Sequence, residues 1–196
     1  MALKVNEIFY SLQGEGFWTG TPMVFVRLAL CNLHCPFCDT DFKAFRLMEP
    51  KDIVAEAKKM APLCRRICLT GGEPTVQPIS PLVNIFQSEG YTVHIETNGT
   101  AAVPPGTGWV TFSPKEDFVK TESAHAVIDK ADELKLVVTP GMTAEPEKIL
   151  RWESFPCKWR FLQSCSCSND GEVIEFIKRH PGWRLSLQTH KYLNIR

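Results

Sequence analysis

The chain has 196 residues, 22 lysines and arginines against 22 aspartates and glutamates, and 44% hydrophobic content. A chain of this length suits one domain, and it can bury a core without disulfides, so wholesale disorder is excluded. Zero formal net charge gives no reason to expect a polyanion, which speaks against non-specific nucleic-acid binding. The stretch from Met1 to Glu7 has no apolar signal core, and the longest apolar run, 23–31, is interrupted by Arg27. That run is far short of the roughly 20 residues that span a bilayer. A soluble, cytoplasmic protein is expected, with no membrane partner, and its eight cysteines need an explanation other than a disulfide framework.

Residues 23–30, rich in β-branched and aromatic side chains, read as a strand. Pro50 opens a helix in which Ile53, Val54, Ala57 and Met60 recur at helical spacing until Pro62. A short buried-type strand at 66–70 runs into Gly71-Gly72, and Ser80-Pro81 starts a second helix, with Leu82, Ile85 and Phe86 as its apolar face and Gly90 as its stop. Strands follow at 91–96, 109–113 and 133–138, stopped by Asn98-Gly99, Pro114 and Pro140-Gly141. A short helix at 145–152, a strand at 159–163, an amphipathic helix at 170–180 and a last strand at 183–187 complete the chain. Strand-then-helix order implies parallel strands with crossover helices. The length admits six or seven strands and is too short for a closed eight-fold barrel, which takes about 250 residues. The expected fold is α/β: a partial, open (β/α) barrel of about six parallel strands, in one domain spanning 1–196. In such sheets chemistry sits at the carboxyl ends of the strands, and the unusual motifs fall there.

The first motif is Cys31, Cys35 and Cys38, spaced C-x3-C-x2-C directly after a strand. Three thiolates this close can hold a cubane iron–sulfur cluster and leave its fourth iron open. Zinc would want a fourth ligand, and the candidate, His34, lies inside the tight loop. Asn32, His34, Pro36 and Asp39 make the loop polar, so a buried cluster of inert thiols does not fit. The second motif, Thr70-Gly71-Gly72-Glu73-Pro74, follows the next strand. Glycines let backbone approach a ligand, and Glu73 can meet an ammonium group.

Together the triplet, with Phe37 before its last cysteine, and the Gly-Gly-Glu-Pro turn resemble the radical S-adenosylmethionine superfamily. That resemblance implies a [4Fe–4S] cluster that binds S-adenosylmethionine and generates a 5′-deoxyadenosyl radical, with no protein side chain as the catalytic group. Further motifs narrow it: residues 8–16 with their Leu12-Gln13-Gly14-Glu15 segment, Cys38-Asp39-Thr40, residues 95–100, Ser113-Pro114-Lys115, and 188–195. From residue 5 to the end, the chain resembles the 7-carboxy-7-deazaguanine synthase family. The resemblance implies ring contraction of 6-carboxy-5,6,7,8-tetrahydropterin to 7-carboxy-7-deazaguanine with loss of ammonia, a step toward queuosine and other 7-deazapurines.

By this resemblance, Cys31, Cys35 and Cys38 hold the cluster and Thr40 is a Mg2+ ligand. Phe37, Gly72, Glu73, Ser113, Pro114, Lys115 and Gln163 bind S-adenosylmethionine. Leu12, Gln13, Gly14, Glu15, Arg27, Thr70, His190 and Arg196 bind the pterin. For Arg27 the residues add their own argument: a charge inside an apolar strand needs a partner, either the substrate carboxylate in bidentate pairing or an internal carboxylate. Lys115, Thr40 and His190 also admit plain roles, as a solvated lysine, a turn hydroxyl and a structural histidine. The resemblance also implies an electron donor such as flavodoxin or ferredoxin, and a homodimer.

Of the other five cysteines, Cys68 reads as a small core residue, and Cys64 and Cys157 as ordinary thiols. Cys165-Ser166-Cys167 departs from the Gln-Pro-type stretch of the family, and two cysteines are too few for a second cubane. Two other classes compete. A radical activating enzyme acting on a partner protein has no use for Arg27 with the 12–16 loop. A non-enzymatic zinc or iron–sulfur module has no use for the Gly-Gly-Glu-Pro turn.

Overall fold

The computed structural model describes residues 1–38, 40 and 44–196; Asp39 of the Cys38-Asp39-Thr40 motif lies outside them. In chain order the elements are β1 (Leu3–Leu12), β2 (Pro22–Leu28), β3 (Arg46–Met48), α1 (Pro50–Met60), β4 (Arg66–Gly71), α2 (Ser80–Ser88), β5 (Thr92–Thr97), β6 (Trp109–Phe112), β7 (Ala131–Val138), α3 (Glu147–Leu150), β8 (Cys157–Ser164), α4 (Asp170–Arg179), β9 (Arg184–Ser186) and α5 (Thr189–Leu193). Among the described residues they form one open sheet in the order β3-β1-β2-β4-β5-β6-β7-β8-β9.

The seven strands from β2 to β9 run parallel, while β1 pairs antiparallel with both β2 and β3. The parallel part is the open barrel expected from the alternation, with seven parallel strands. The antiparallel edge was not anticipated. A register shift between Val5 and Glu7 breaks the alternation of β1, and β3 is only three residues long.

Period-two alternation divides the side chains between two faces. On the outer face Val24, Val26, Leu28, Ile67, Leu69, Val93 and Ile95 pack against α1 and α2 residues such as Ile53, Ala57, Leu82 and Phe86. A second outer core joins Leu134, Leu136, Val138 and Leu162 to Ile149, Val173 and Phe176 of α3 and α4. The intervening residues face inward. At the amino ends of the strands the inner face is aromatic, and the loop between β1 and β2 plugs it. Phe17 stacks on Trp109 and Trp159, each at 5.1 Å between ring centroids, and Trp18 meets His94 and Trp109 edge-on. At the carboxyl ends the same face turns polar, with Arg27, Thr70, Glu96, Thr111, Lys135 and Gln163. The plug thus leaves one open mouth, above the polar end.

Candidate active site

A cavity of about 470 Å³ opens at the carboxyl ends of the strands. It is lined by Cys31, Cys35 and Cys38, by Phe37 and Thr40, by Thr70 to Glu73, and by Ser113 and Lys115. Leu12 to Glu15, Arg27, Gln163, His190 and Arg196 complete the sequence-derived set around it. Of that set only Pro114 is not part of the lining; it is buried between Ser113 and Lys115.

The cysteine wall is positioned by backbone. Leaving β2, the chain passes through Leu30 with φ of 74°, an uncommon conformation for leucine. The turn after β4 then packs on it: Gly72 N–H donates to Leu28 O at 3.0 Å and Glu73 N–H to Leu30 O at 2.8 Å. A Cβ on Gly71, whose φ is +130°, would sit 2.0 Å from Leu28 O, and one on Gly72 would sit 2.0 Å from Leu30 O and 3.0 Å from Cys31 Cβ. The glycines therefore serve a close approach of backbone to backbone that aims the cysteine loop, where the sequence suggested an approach of backbone to ligand. Glu73 also differs from expectation. It is buried, and its carboxylate accepts from Thr75 N–H (3.1 Å), Thr75 Oγ1 (2.6 Å), Thr97 Oγ1 (2.7 Å) and Asn98 N–H (2.6 Å). It ties the turn to the end of β5 instead of holding a free charge toward a ligand. Asn32 fastens the cysteine loop to the same region, donating to Thr100 Oγ1 at 2.9 Å and accepting from Asn98 Nδ2 at 3.2 Å.

Cys31, Cys35 and Cys38 are free thiols, two half-buried and one exposed. Burial pushes the Cys31 and Cys35 thiols above their usual range, so ligation at neutral pH releases protons. Among the described residues no three His, Cys, Asp or Glu side chains are grouped to hold a metal ion. The donor set fits a cluster: three soft sulfurs from one short loop, beside a glycine turn with no side chain to intrude. Lys115 Nζ donates to Ser113 O at 2.7 Å and Ser113 Oγ at 2.6 Å. Burial draws its pKa down to about 8, so it is not the solvated surface lysine that the sequence also allowed.

The opposite wall is built from side chains that are distant in sequence. Arg27 Nε pairs with Glu7 Oε1 at 2.8 Å, and Arg196 reaches the other oxygen of the same carboxylate. Ser11 Oγ donates to Arg196 O at 2.5 Å. The internal ion pair considered for Arg27 is thus present, yet the arginine still lines the cavity. Thr189 N–H and Oγ1 both donate to Gly14 O, at 2.9 and 2.8 Å, which brings the His190 ring against Gly14. Gln163 Oε1 accepts from Ser186 Oγ at 2.7 Å, and Ser186 Oγ accepts from Gly16 N–H at 2.9 Å.

Lys135, Glu96 and Gln188 were missed as site residues. Lys135 Nζ forms an ion pair with Glu15 and lies 3.8 Å from Glu96 Oε1. Gln188 Nε2 donates to Glu15 Oε1 at 2.9 Å, and Gln13 Nε2 donates to Glu96 Oε1 at 2.9 Å. Gln188 Oε1 is buried without a hydrogen-bond partner among the described residues. A signal for Lys135 was there to be read: like Arg27, it is a charge flanked by apolar strand residues, Leu134 and Leu136.

The radical SAM superfamily model matches residues 26–104, which span the cysteine loop, the Gly-Gly-Glu-Pro turn and β5. The 7-carboxy-7-deazaguanine synthase of Bacteroides thetaiotaomicron is 44% identical over 196 residues, covering the whole of both chains. That of Neisseria meningitidis serogroup B is 37% identical, over 98% of this chain and 93% of its own. The crystal structure of QueE from Escherichia coli superposes with a TM-score of 0.79 at 29% identity, over 95% of this chain and 94% of that one.

Proposed function

The chain belongs to the 7-carboxy-7-deazaguanine synthase family of radical SAM enzymes, and from that membership we propose that it converts 6-carboxy-5,6,7,8-tetrahydropterin to 7-carboxy-7-deazaguanine, with loss of ammonia, in queuosine and 7-deazapurine biosynthesis. The observation that carries this reading is one cavity with three free cysteines on one wall and an arginine, carboxylates and amides on the other. The relatives above share the synthase name, and nothing comparable supports an activating enzyme.

When bound, a [4Fe–4S] cluster and S-adenosylmethionine would supply radical hydrogen-abstraction chemistry, which no side chain here could supply alone. In this reading the protein binds, orients and excludes water. Cys31, Cys35 and Cys38 hold the cluster. Phe37, Gly72, Ser113, Lys115 and Gln163 shape the place of S-adenosylmethionine, and Lys115 keeps its ammonium directed by the two Ser113 oxygens. Glu73 lines the same cavity while its carboxylate braces the turn, and Pro114, buried between Ser113 and Lys115, supports that surface from beneath. Arg27 attracts the substrate carboxylate, with Glu7 fixing it through Nε, and the terminal carboxylate of Arg196 touches the substrate. Leu12 to Glu15, Thr70 and His190 meet the heterocycle. Thr40 contributes a Mg2+ ligand, completed by substrate oxygen and water, since one neutral hydroxyl is a weak ligand for a hard cation.

The same reading takes the chain as one radical SAM domain working as a cytoplasmic homodimer that draws electrons from a flavodoxin or ferredoxin. Among the described residues no helix is long and apolar enough to cross a membrane. The decisive assay is anaerobic: reconstituted protein with S-adenosylmethionine, reductant, Mg2+ and the carboxytetrahydropterin should yield 7-carboxy-7-deazaguanine by mass spectrometry. An intact cluster with no product would refute the proposal.

A further inference from the structure

Lys135 stands at the floor of the cavity with a 5% exposed side chain, and no role assigned so far uses it. The groups that face it come from several elements: Glu15 from the segment over the cavity, Glu96 from β5, Glu133 from its own strand, Lys115 from the turn after β6 and Cys68 from β4, with His190 beside Glu15 and Arg27 beside Cys68. Three carboxylates converge on this lysine, and two of them, Glu15 and Glu96, line the cavity. Those two also orient cavity amides: Glu15 takes Gln188 Nε2, and Glu96 takes Gln13 Nε2.

We propose that Lys135 is a positioning residue for substrate recognition, its ammonium fixing Glu15 and Glu96, and through them Gln188 and Gln13, as the hydrogen-bonding face presented to an N–H-rich heterocycle edge. The proposal rests on the function proposed above and adds the device that readies its pterin-facing wall. A buried carboxylate without a cation takes up a proton, and a protonated carboxyl offers one acceptor fewer and one donor too many to an N–H edge. Burial alone would raise the pKa of Glu15, yet Lys135 overcomes it and holds it at about 2. The same carboxylates outweigh the effect of burial on Lys135 and keep its ammonium above the usual lysine range. An ionised Glu15 can only accept, so the Gln188 amide must present its NH2 there. One lysine thereby holds Glu15 ionised, lies against Glu96 and, through Glu15, sets the orientation of an amide.

The test is binding of 7-carboxy-7-deazaguanine to anaerobically reconstituted protein loaded with S-adenosylmethionine, by calorimetry, for wild type and Lys135→Met between about pH 6.5 and 9. The quantity read is the ratio of wild-type to variant affinity at each pH, in which titration of the free ligand cancels. The expected ratio is about a hundredfold near pH 6.5. It should narrow to about tenfold by pH 9, as Glu15 regains its charge. S-adenosylmethionine binding should be unchanged, and Lys135→Arg should restore the flat profile. Lys135→Met/Glu133→Gln, which also removes a buried carboxylate, carries the same comparison if the single variant does not fold. A ratio near one, or a loss that does not vary with pH, would overturn the proposal, because a lysine that only braces the fold or bonds the ligand itself gives no pH-dependent ratio. Failure of the wild type to bind the ligand would instead count against the proposed function.

Discussion

The two walls of the cavity are built by different means. The cysteine wall is held by backbone: Gly72 and Glu73 donate to Leu28 O and Leu30 O, and the residues that define it lie in short motifs at 31–38 and 70–74. The opposite wall is held largely by side chains across long separations, with 120 positions separating Glu15 and Lys135, 173 separating Glu15 and Gln188, and 175 separating Gly14 and Thr189. Backbone placement on a close-packed turn leaves little freedom for change. Placement by buried charge depends on protonation and on each partner being present. The first wall should therefore respond to sterics and to loss of ligands, and the second to charge and pH.

The largest effect should come from Cys35→Ala. It removes one of three proposed cluster ligands, so iron content and the brown cluster absorption should fall to background with activity, while circular dichroism keeps the fold. A full cluster in this variant would break the ligand assignment. Next comes Gly72→Ala, whose Cβ would press on Leu30 O at 2.0 Å. We expect about 2–3 kcal/mol of lost stability by urea unfolding and a substoichiometric cluster, with pterin affinity per loaded cluster unchanged. Normal cluster loading would show that this turn does not aim the cysteines.

On the other wall, Arg27→Met should weaken binding of the carboxylated pterin about a hundredfold and leave S-adenosylmethionine binding within about threefold. Equal losses for both ligands in calorimetry would erase the division between the walls. The smallest effect concerns Glu133, buried beneath the 12–16 loop, where it accepts from Phe17 N–H at 3.0 Å. Burial pushes its pKa up to about 7, against the opposing pull of Lys135. A folded-state pKa above the unfolded one means that this carboxyl favours the fold below about pH 4.5, and that the contribution is lost as pH rises through about 7. Glu133→Gln should thus match wild type near pH 5 and exceed its stability by about 2 kcal/mol at pH 8. A difference in urea unfolding that does not grow with pH would show that Glu133 carries no such strain.

The same division explains how much was legible in the sequence. The parallel strands, the cysteine loop and the Gly-Gly-Glu-Pro turn show through local periodicity and spacing, which is where strand sterics and turn chemistry act. Arg27 stood out because a charge in an apolar strand demands a partner, although its partner Glu7 was hidden in β1, where a register shift broke the alternation. Lys135 carries the same signal, but its meaning lies in Glu15 and Glu96, and no local pattern tells which carboxylates the fold will gather around a lysine. Glu73 shows the converse. Its motif suggested a charge held out to a ligand, and only the fold brings Thr97 and Asn98 to it. Pro114, assigned by resemblance to the same motif as Ser113 and Lys115, lies buried beneath them.

The join between the 12–16 loop and the segment 188–196 also bears on how the molecule comes together. The hydrogen bonds that tie the 12–16 loop to Glu96, Lys135 and the 188–189 segment each span more than 80 residues, whereas the sheet around the cysteine loop pairs neighbours much closer in sequence. Contacts across large sequence separations carry the greater loop-closure entropy and form late. Closing the far side of the cavity therefore carries the larger loop-closure cost, and the cysteine half can be built without it.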